Sequence, residues 1–156
     1  MKRRNFLKGL AATAPLAIAA TPMTLSAKDE KPKSPNSIDL KTAMDTITGK
    51  KGAKDSDKIK LTVPEIAENG AVVPVKIEVD NPMEEANHVK AIHIIATQNT
   101  NVRCADVILT PLNAKGYFAT RIKLGKSQDV MALVALSNGE FIKVQKPVKV
   151  TIGGCG

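Results

Sequence analysis

The sequence predicts an all-β fold, an immunoglobulin-like antiparallel β-sandwich of about seven strands with one helix at its N-terminal side. Two observations predict the sandwich. From Lys58 onward apolar residues recur at every second position, as in "VVPVKIEVD" from Val72, where Val73, Val75, Ile77 and Val79 share one face. These runs are short, rich in β-branched residues and separated by turn residues at regular intervals. A third observation predicts the helix: in "SIDLKTAMDTITGKKG" the apolar Leu40, Ala43, Met44 and Ile47 fall at i, i+3, i+4 and i+7. The chain has no Trp, so it lacks the buried strand tryptophan of antibody domains, and a small barrel stays open as the alternative.

Residues 1–27 come first, with Lys2, Arg3, Arg4 and Lys8 ahead of a small-residue apolar stretch from Gly9 to Ala20 and a Ser26-Ala27 ending. The stretch is well short of the roughly 20 residues that cross a bilayer, so it reads as an export signal rather than a membrane span. Paired arginines followed by Phe6-Leu7-Lys8 fit a twin-arginine signal, against an ordinary secretory one. Either way the mature chain is expected in the periplasm. Residues 28–36, "KDEKPKSPN", are charged, contain Pro32 and Pro35, and read as a mobile spacer. The domain follows over residues 37–152. Ser37 is the expected helix cap, with Gly49-Lys50-Lys51 as the stop, and Met44 on the stripe is a packing residue.

Seven strands are then expected in "KIKLTV", "VVPVKIEVD", "HVKAIHIIATQ", "NVRCADVILTP", "GYFATRIKLG", "DVMALVALSN" and "EFIKVQKPVKVTI". Between the last two, Asn138-Gly139 suits a two-residue hairpin turn, which needs positive φ. The run "VMALVAL" at 130–136 is apolar on both faces, so either its own core or another subunit covers it. Residues 153–156 are left as a flexible C-terminal arm.

Composition excludes several functions. Loss of residues 1–27 removes four of the 23 basic residues and none of the 15 acidic ones, so the formal charge falls from +8 to +4. That modest surplus, with aromatic residues at 3%, does not support base stacking on nucleic acid; it favours at most small anions. His88 and His93 are five apart and, on a shared strand, would face opposite ways, so no joint metal site is expected. Glu84-Glu85 after Asn81-Pro82-Met83 reads as a solvated turn. No phosphate loop and no nucleophile elbow occur. The inventory predicts no catalytic residue, no metal and no cofactor.

Two cysteines remain. Cys104 lies in "NVRCADVIL", where alternation sets Val102, Cys104, Asp106 and Ile108 on one face and Arg103, Ala105, Val107 and Leu109 on the other. Cys155 lies in the ending "VTIGGCG". Gly153, Gly154 and Gly156 give that thiol no side chain to pack against and the most permissive backbone available. A thiol of this kind suits a covalent carrier, because a thin arm can enter one partner's active site after another. Four extended residues beyond Ile152 span about 13 Å. Lys143, Lys146 and Lys149 could offset the terminal carboxylate beside the thiol and attract anions. The competing reading is a structural or intermolecular disulfide, worth about 2–4 kcal/mol if it joins Cys104 to Cys155.

The ending "VTIGGCG", with "IAENGAVVPVKIEVDNPM" at 66–83, "TRIKLGKSQDVMALVALSNGEF" at 120–141 and the twin-arginine leader, resembles the SoxY family of sulfur carriers in periplasmic thiosulfate oxidation. The resemblance implies Cys155 as the covalent sulfur-binding residue, Gly153, Gly154 and Gly156 as its flexible flanks, and a sandwich body paired with a SoxZ-like subunit. It also implies three kinds of enzyme that act on the carrier. One is a haem enzyme that loads thiosulfate, one a hydrolase that releases sulfate, and one an enzyme that oxidises the remaining sulfur. The carrier itself would catalyse nothing. Two departures stand out: the family ending commonly has one more glycine, and Cys104 is not part of its pattern.

Overall fold

The computed structural model describes residues 34–154; the leader, residues 28–33 of the spacer, and Cys155 and Gly156 lie outside them. Helix α1, Leu40–Thr48, opens at Asp39, whose carboxylate accepts from the Thr42 backbone N–H at 2.9 Å and from its hydroxyl at 2.8 Å. Asp39 and not Ser37 is therefore the cap, because only the residue directly before the first turn reaches the open N–H groups of that turn. Ser37 instead donates to the Thr100 carbonyl at 3.2 Å, tying the segment before the helix to the body. The helix stops at Gly49, whose φ of 60° is the left-handed conformation that favours glycine.

Nine strands follow: β1 Lys54–Asp55, β2 Ile59–Thr62, β3 Ile66–Asn69, β4 Val73–Val79, β5 Val89–Ala96, β6 Arg103–Ile108, β7 Gly116–Ile122, β8 Gln128–Leu136 and β9 Phe141–Ile152. They form a three-stranded sheet in the order β2-β4-β7 and a six-stranded sheet in the order β1-β9-β8-β5-β6, with β3 also on β9. The sandwich is as expected, with two strands more than the alternation predicts. Both additions, β1 and β3, pair with β9 in parallel, so the larger sheet is not purely antiparallel. At two and four residues they are too short to display a period. Pro147 lies in β9 between the stretches paired with β1 and β3, where its missing N–H costs no ladder bond.

The two sheets enclose the main core, which includes Val73, Val75 and Ile77 from the small sheet and Ile92, Ile94, Val130, Ala132 and Val134 from the large one. A second cluster lies on the opposite face of the large sheet, where Ile95, Met131 and Leu133 meet Ala43 of α1. Met44, Ile47 and Phe141 pack around it. The two-faced run in β8 is thus covered on one side by the sandwich and on the other by the chain's own helix.

The β8–β9 turn departs from the expected two-residue type. Only Gly139 has positive φ, at 84°, and its N–H bonds the Leu136 carbonyl at 3.0 Å while Leu136 N–H bonds the Glu140 carbonyl at 2.9 Å. Ser137, Asn138 and Gly139 therefore form a three-residue loop with glycine at the left-handed position.

Candidate functional site

The end of β9 carries the glycine tail to the rim of the sandwich, where two other segments meet it. Gly70 N–H donates to the Ile152 carbonyl at 2.7 Å, Leu124 N–H donates to the Gly70 carbonyl at 2.7 Å, and Gly154 N–H donates to the Leu124 carbonyl at 3.0 Å. One glycine backbone thus joins the last strand of the large sheet to the segment leaving β7 of the small sheet.

This crossing is too close for side chains. A Cβ on Gly70 would lie 2.2 Å from the Leu124 carbonyl oxygen and 2.8 Å from Gly154 N. A Cβ on Gly153 would lie 2.3 Å from the Gly125 carbonyl oxygen, and one on Gly154 would lie 2.6 Å from Ala71 N. Neither Gly153 nor Gly154 has positive φ. At both positions the close backbone approach is itself a steric ground for glycine.

The walls of this crossing are braced. Asn69 Oδ1 accepts from Ala71 N–H at 2.8 Å and shapes the turn that carries Gly70. On the other side Asn99 Oδ1 accepts from Gly125 N–H at 3.1 Å and Asn99 Nδ2 donates to the Lys123 carbonyl at 2.8 Å. Gln128, a buried polar side chain, donates to Asn99 Oδ1 at 2.8 Å and to the Lys126 carbonyl at 3.1 Å, and accepts from Gln98 N–H at 2.8 Å. Ser127 Oγ accepts from Val150 N–H at 2.9 Å, joining the same loop to β9. Sequence reasoning missed Asn99 and Gln128, since a polar loop residue and a strand-end Gln carry no pattern of their own.

Cys104 sits at a β-bulge. Ile94 pairs with Ala105 and Ile95 with Arg103, which leaves Cys104 as the extra residue of β6. The expected strict alternation therefore breaks there: Asp106 and Ile108 are exposed, while half-buried Cys104, Ala105 and Val107 all pack against the main core. Its Sγ is 3.9 Å from Asn99 Nδ2. Burial pushes the thiol pKa up, so Cys104 stays a protonated, poor nucleophile near neutrality.

The other singled-out residues do not converge on the tail. His93 lies on β5 with Nδ1 on Asp106, which also takes Arg103 Nη2 at 2.8 Å, whereas His88 precedes β5 and faces the Glu84 carbonyl at 3.1 Å. Glu84 closes its turn through reciprocal backbone bonds with Asn87, at 3.0 and 3.1 Å. Lys143, nine residues before Ile152 on β9, pairs with Asp55 at 3.7 Å. A shallow groove of about 490 Å³ lies on the outer face of the small sheet between Thr62, Pro74, Lys76 and Arg121, with no cysteine in its lining. Among the described residues no cluster of His, Cys, Asp and Glu could hold a metal ion, and no helix is long and apolar enough to cross a membrane.

Scaffold and tail together define a class: a small β-sandwich whose last strand delivers a cysteine behind a glycine pair seated at the rim. The family model "Sulfur oxidation protein SoxY" matches residues 44–155, through to that cysteine, and the chain belongs to this family. Among solved structures it is similar to the sulfur carrier protein SoxY from Chlorobium limicola f thiosulfatophilum, at 28% identity and a TM-score of 0.62 over 72% of this chain and 96% of that one. A variant superoxide reductase (neelaredoxin) from Ignicoccus hospitalis matches at 20% identity and TM-score 0.55, over 69% of this chain and 89% of that one. A putative superoxide reductase from Thermotoga maritima matches at 15% and 0.54, over 63% and 93%. The last two likenesses concern the fold alone. No curated protein matches the chain.

Proposed function

We propose that this chain is a periplasmic sulfur carrier, exported through its twin-arginine leader, that holds intermediates of thiosulfate oxidation covalently on Cys155. The observation that carries this reading is the family match, which extends to the terminal cysteine and not merely over the sandwich. The solved SoxY relative is itself described as a sulfur carrier. The chemistry needs only the thiol from this chain. Loading joins the Cys155 sulfur to the outer sulfur of thiosulfate; the thiol proton leaves and two electrons pass to a haem enzyme. Water then cleaves the terminal S–S bond of the adduct, releasing sulfate and leaving a persulfide on Cys155, on which a sulfur-oxidising partner acts. The carrier is the substrate platform and contributes no acid, base or metal. A SoxZ-like subunit is its partner.

The test is Cys155→Ser in the mature protein. The melting temperature is expected to stay within about 2 °C, because the exchange replaces a single sulfur by oxygen, while thiosulfate loading by the pathway's enzymes falls to zero. Loading that survives the substitution overturns the reading.

The second reading, a staple between Cys104 and Cys155, draws on the Asn99 side chain, which lies against Cys104 on one side and Gly125 at the tail crossing on the other. Peptide mapping of freshly purified, unreduced protein separates the two, since a structural disulfide is close to stoichiometric and a carrier thiol is not.

A further inference from the structure

The stretches "IAENGAVVPV" and "VTIGGCG" are 84 residues apart from Ala71 to Cys155, yet the turn in the first lies directly on the glycines of the second. The carrier reading uses only the second stretch. Nothing in sulfur chemistry requires a glycine at position 70, and its φ does not require one either. What excludes a side chain there is contact with the Leu124 carbonyl and with Gly154.

We propose that the Asn69-Gly70-Ala71 turn and the Leu124-Gly125 backbone form a latch that holds the arm down at Gly154, and that Gly70 is its positioning residue. This rests on Cys155 being the carrier thiol, and it specifies how that thiol is presented. With the latch closed, the Cα of Cys155 is one virtual bond, about 3.8 Å, beyond a residue fixed to the rim. With it open, the chain is free from Ile152, and three extended residues carry the thiol about 10 Å. The arm thus has a short seated state and a long released one.

The geometry makes the two states exchangeable. Gly154 is fastened by one backbone hydrogen bond and by backbone packing against Ala71 and Gly70, with no side chain of its own to withdraw. One such bond shifts a population by roughly fivefold, an amount a docking partner readily supplies. The seat does not collapse when the tail leaves, because Asn69, Asn99, Gln128 and Ser127 brace it from the body side. Gly70 N–H keeps its bond to Ile152 in either state, so the hinge falls at Gly153.

Amide hydrogen exchange of the reduced mature protein, followed by NMR, tests this without any sulfur chemistry. In the wild-type chain the Gly154 amide is expected to exchange at least threefold more slowly than in a peptide ending in the same residues. In Gly154→Ala, where the new methyl strikes Ala71, the amide at 154 is expected to exchange at the peptide rate while the Gly70 and Leu124 amides stay protected and the melting temperature is unchanged. Gly70→Ala is expected to release the amide at 154 as well. Should that variant fail to fold, Gly154→Ala carries the test alone. A wild-type Gly154 amide that exchanges at the peptide rate overturns the latch while leaving the carrier reading intact; loss of loading in Cys155→Ser with a protected Gly154 amide supports both.

Discussion

The two cysteines differ in sequence context, and for Cys104 the fold adds an environment. Cys104 occupies a bulge, is half-buried against the core, and has its thiol pKa raised by that burial. Against a small alkylating reagent at about pH 7.5 it is expected to react more slowly than free cysteine, because the thiolate is the nucleophile and burial lowers its fraction. Mass-resolved alkylation kinetics on the Cys155→Ser variant give that rate directly. The shift also has a sign for stability. A thiol whose pKa is higher folded than unfolded stabilises the protein below the unfolded value and loses that contribution as pH rises through the folded one. Stability in wild type should therefore decline above about pH 8.5 relative to Cys104→Ser, which has no group titrating there, and urea midpoints between pH 7 and 10 measure the difference.

Helix α1 shows why a strand can be apolar on both faces. Met131 and Leu133 point away from the sandwich and would be bare without Ala43, Met44 and Ile47. Leu133→Ala is expected to cost about 2–5 kcal/mol, because Leu133 is fully buried in the cluster under the helix. The urea midpoint reads that cost. A shift equivalent to less than about 1 kcal/mol would mean that the helix follows the deletion inward. The long strands and the helix stripe were legible because a period of two or 3.6 had room to repeat. Strands β1 and β3 were not, since their existence is decided by the unpaired edge of β9 rather than by their own residues. The helix cap moved from Ser37 to Asp39 for a similarly local reason, a choice between two good capping residues two positions apart.

At the scale of the whole molecule, α1 covers the outer face of the large sheet over Ile95, Met131 and Leu133. With α1 on the outer face of the large sheet, the mature chain expressed without a partner is expected to be monomeric under reducing conditions, and light scattering after size exclusion checks this. A dimer that persists in reductant would point to an apolar face the helix does not cover, such as that bearing exposed Ile108 and Leu112. The sequence made the glycine tail and its cysteine visible because composition alone marks them. The seat was invisible, because Gly70 and Asn99 come from two separate connections and Gln128 from the start of β8, which only the fold brings together.

The central claim is that Cys155 carries the sulfur. It is tested most directly by intact and peptide-level mass spectrometry of the mature protein from thiosulfate-grown cells, with and without reductant. Reducible sulfur or thiosulfonate adducts confined to Cys155, with Cys104 unmodified, are the predicted result. A Cys104–Cys155 crosslinked peptide at full occupancy, or adducts distributed over both thiols, would contradict it.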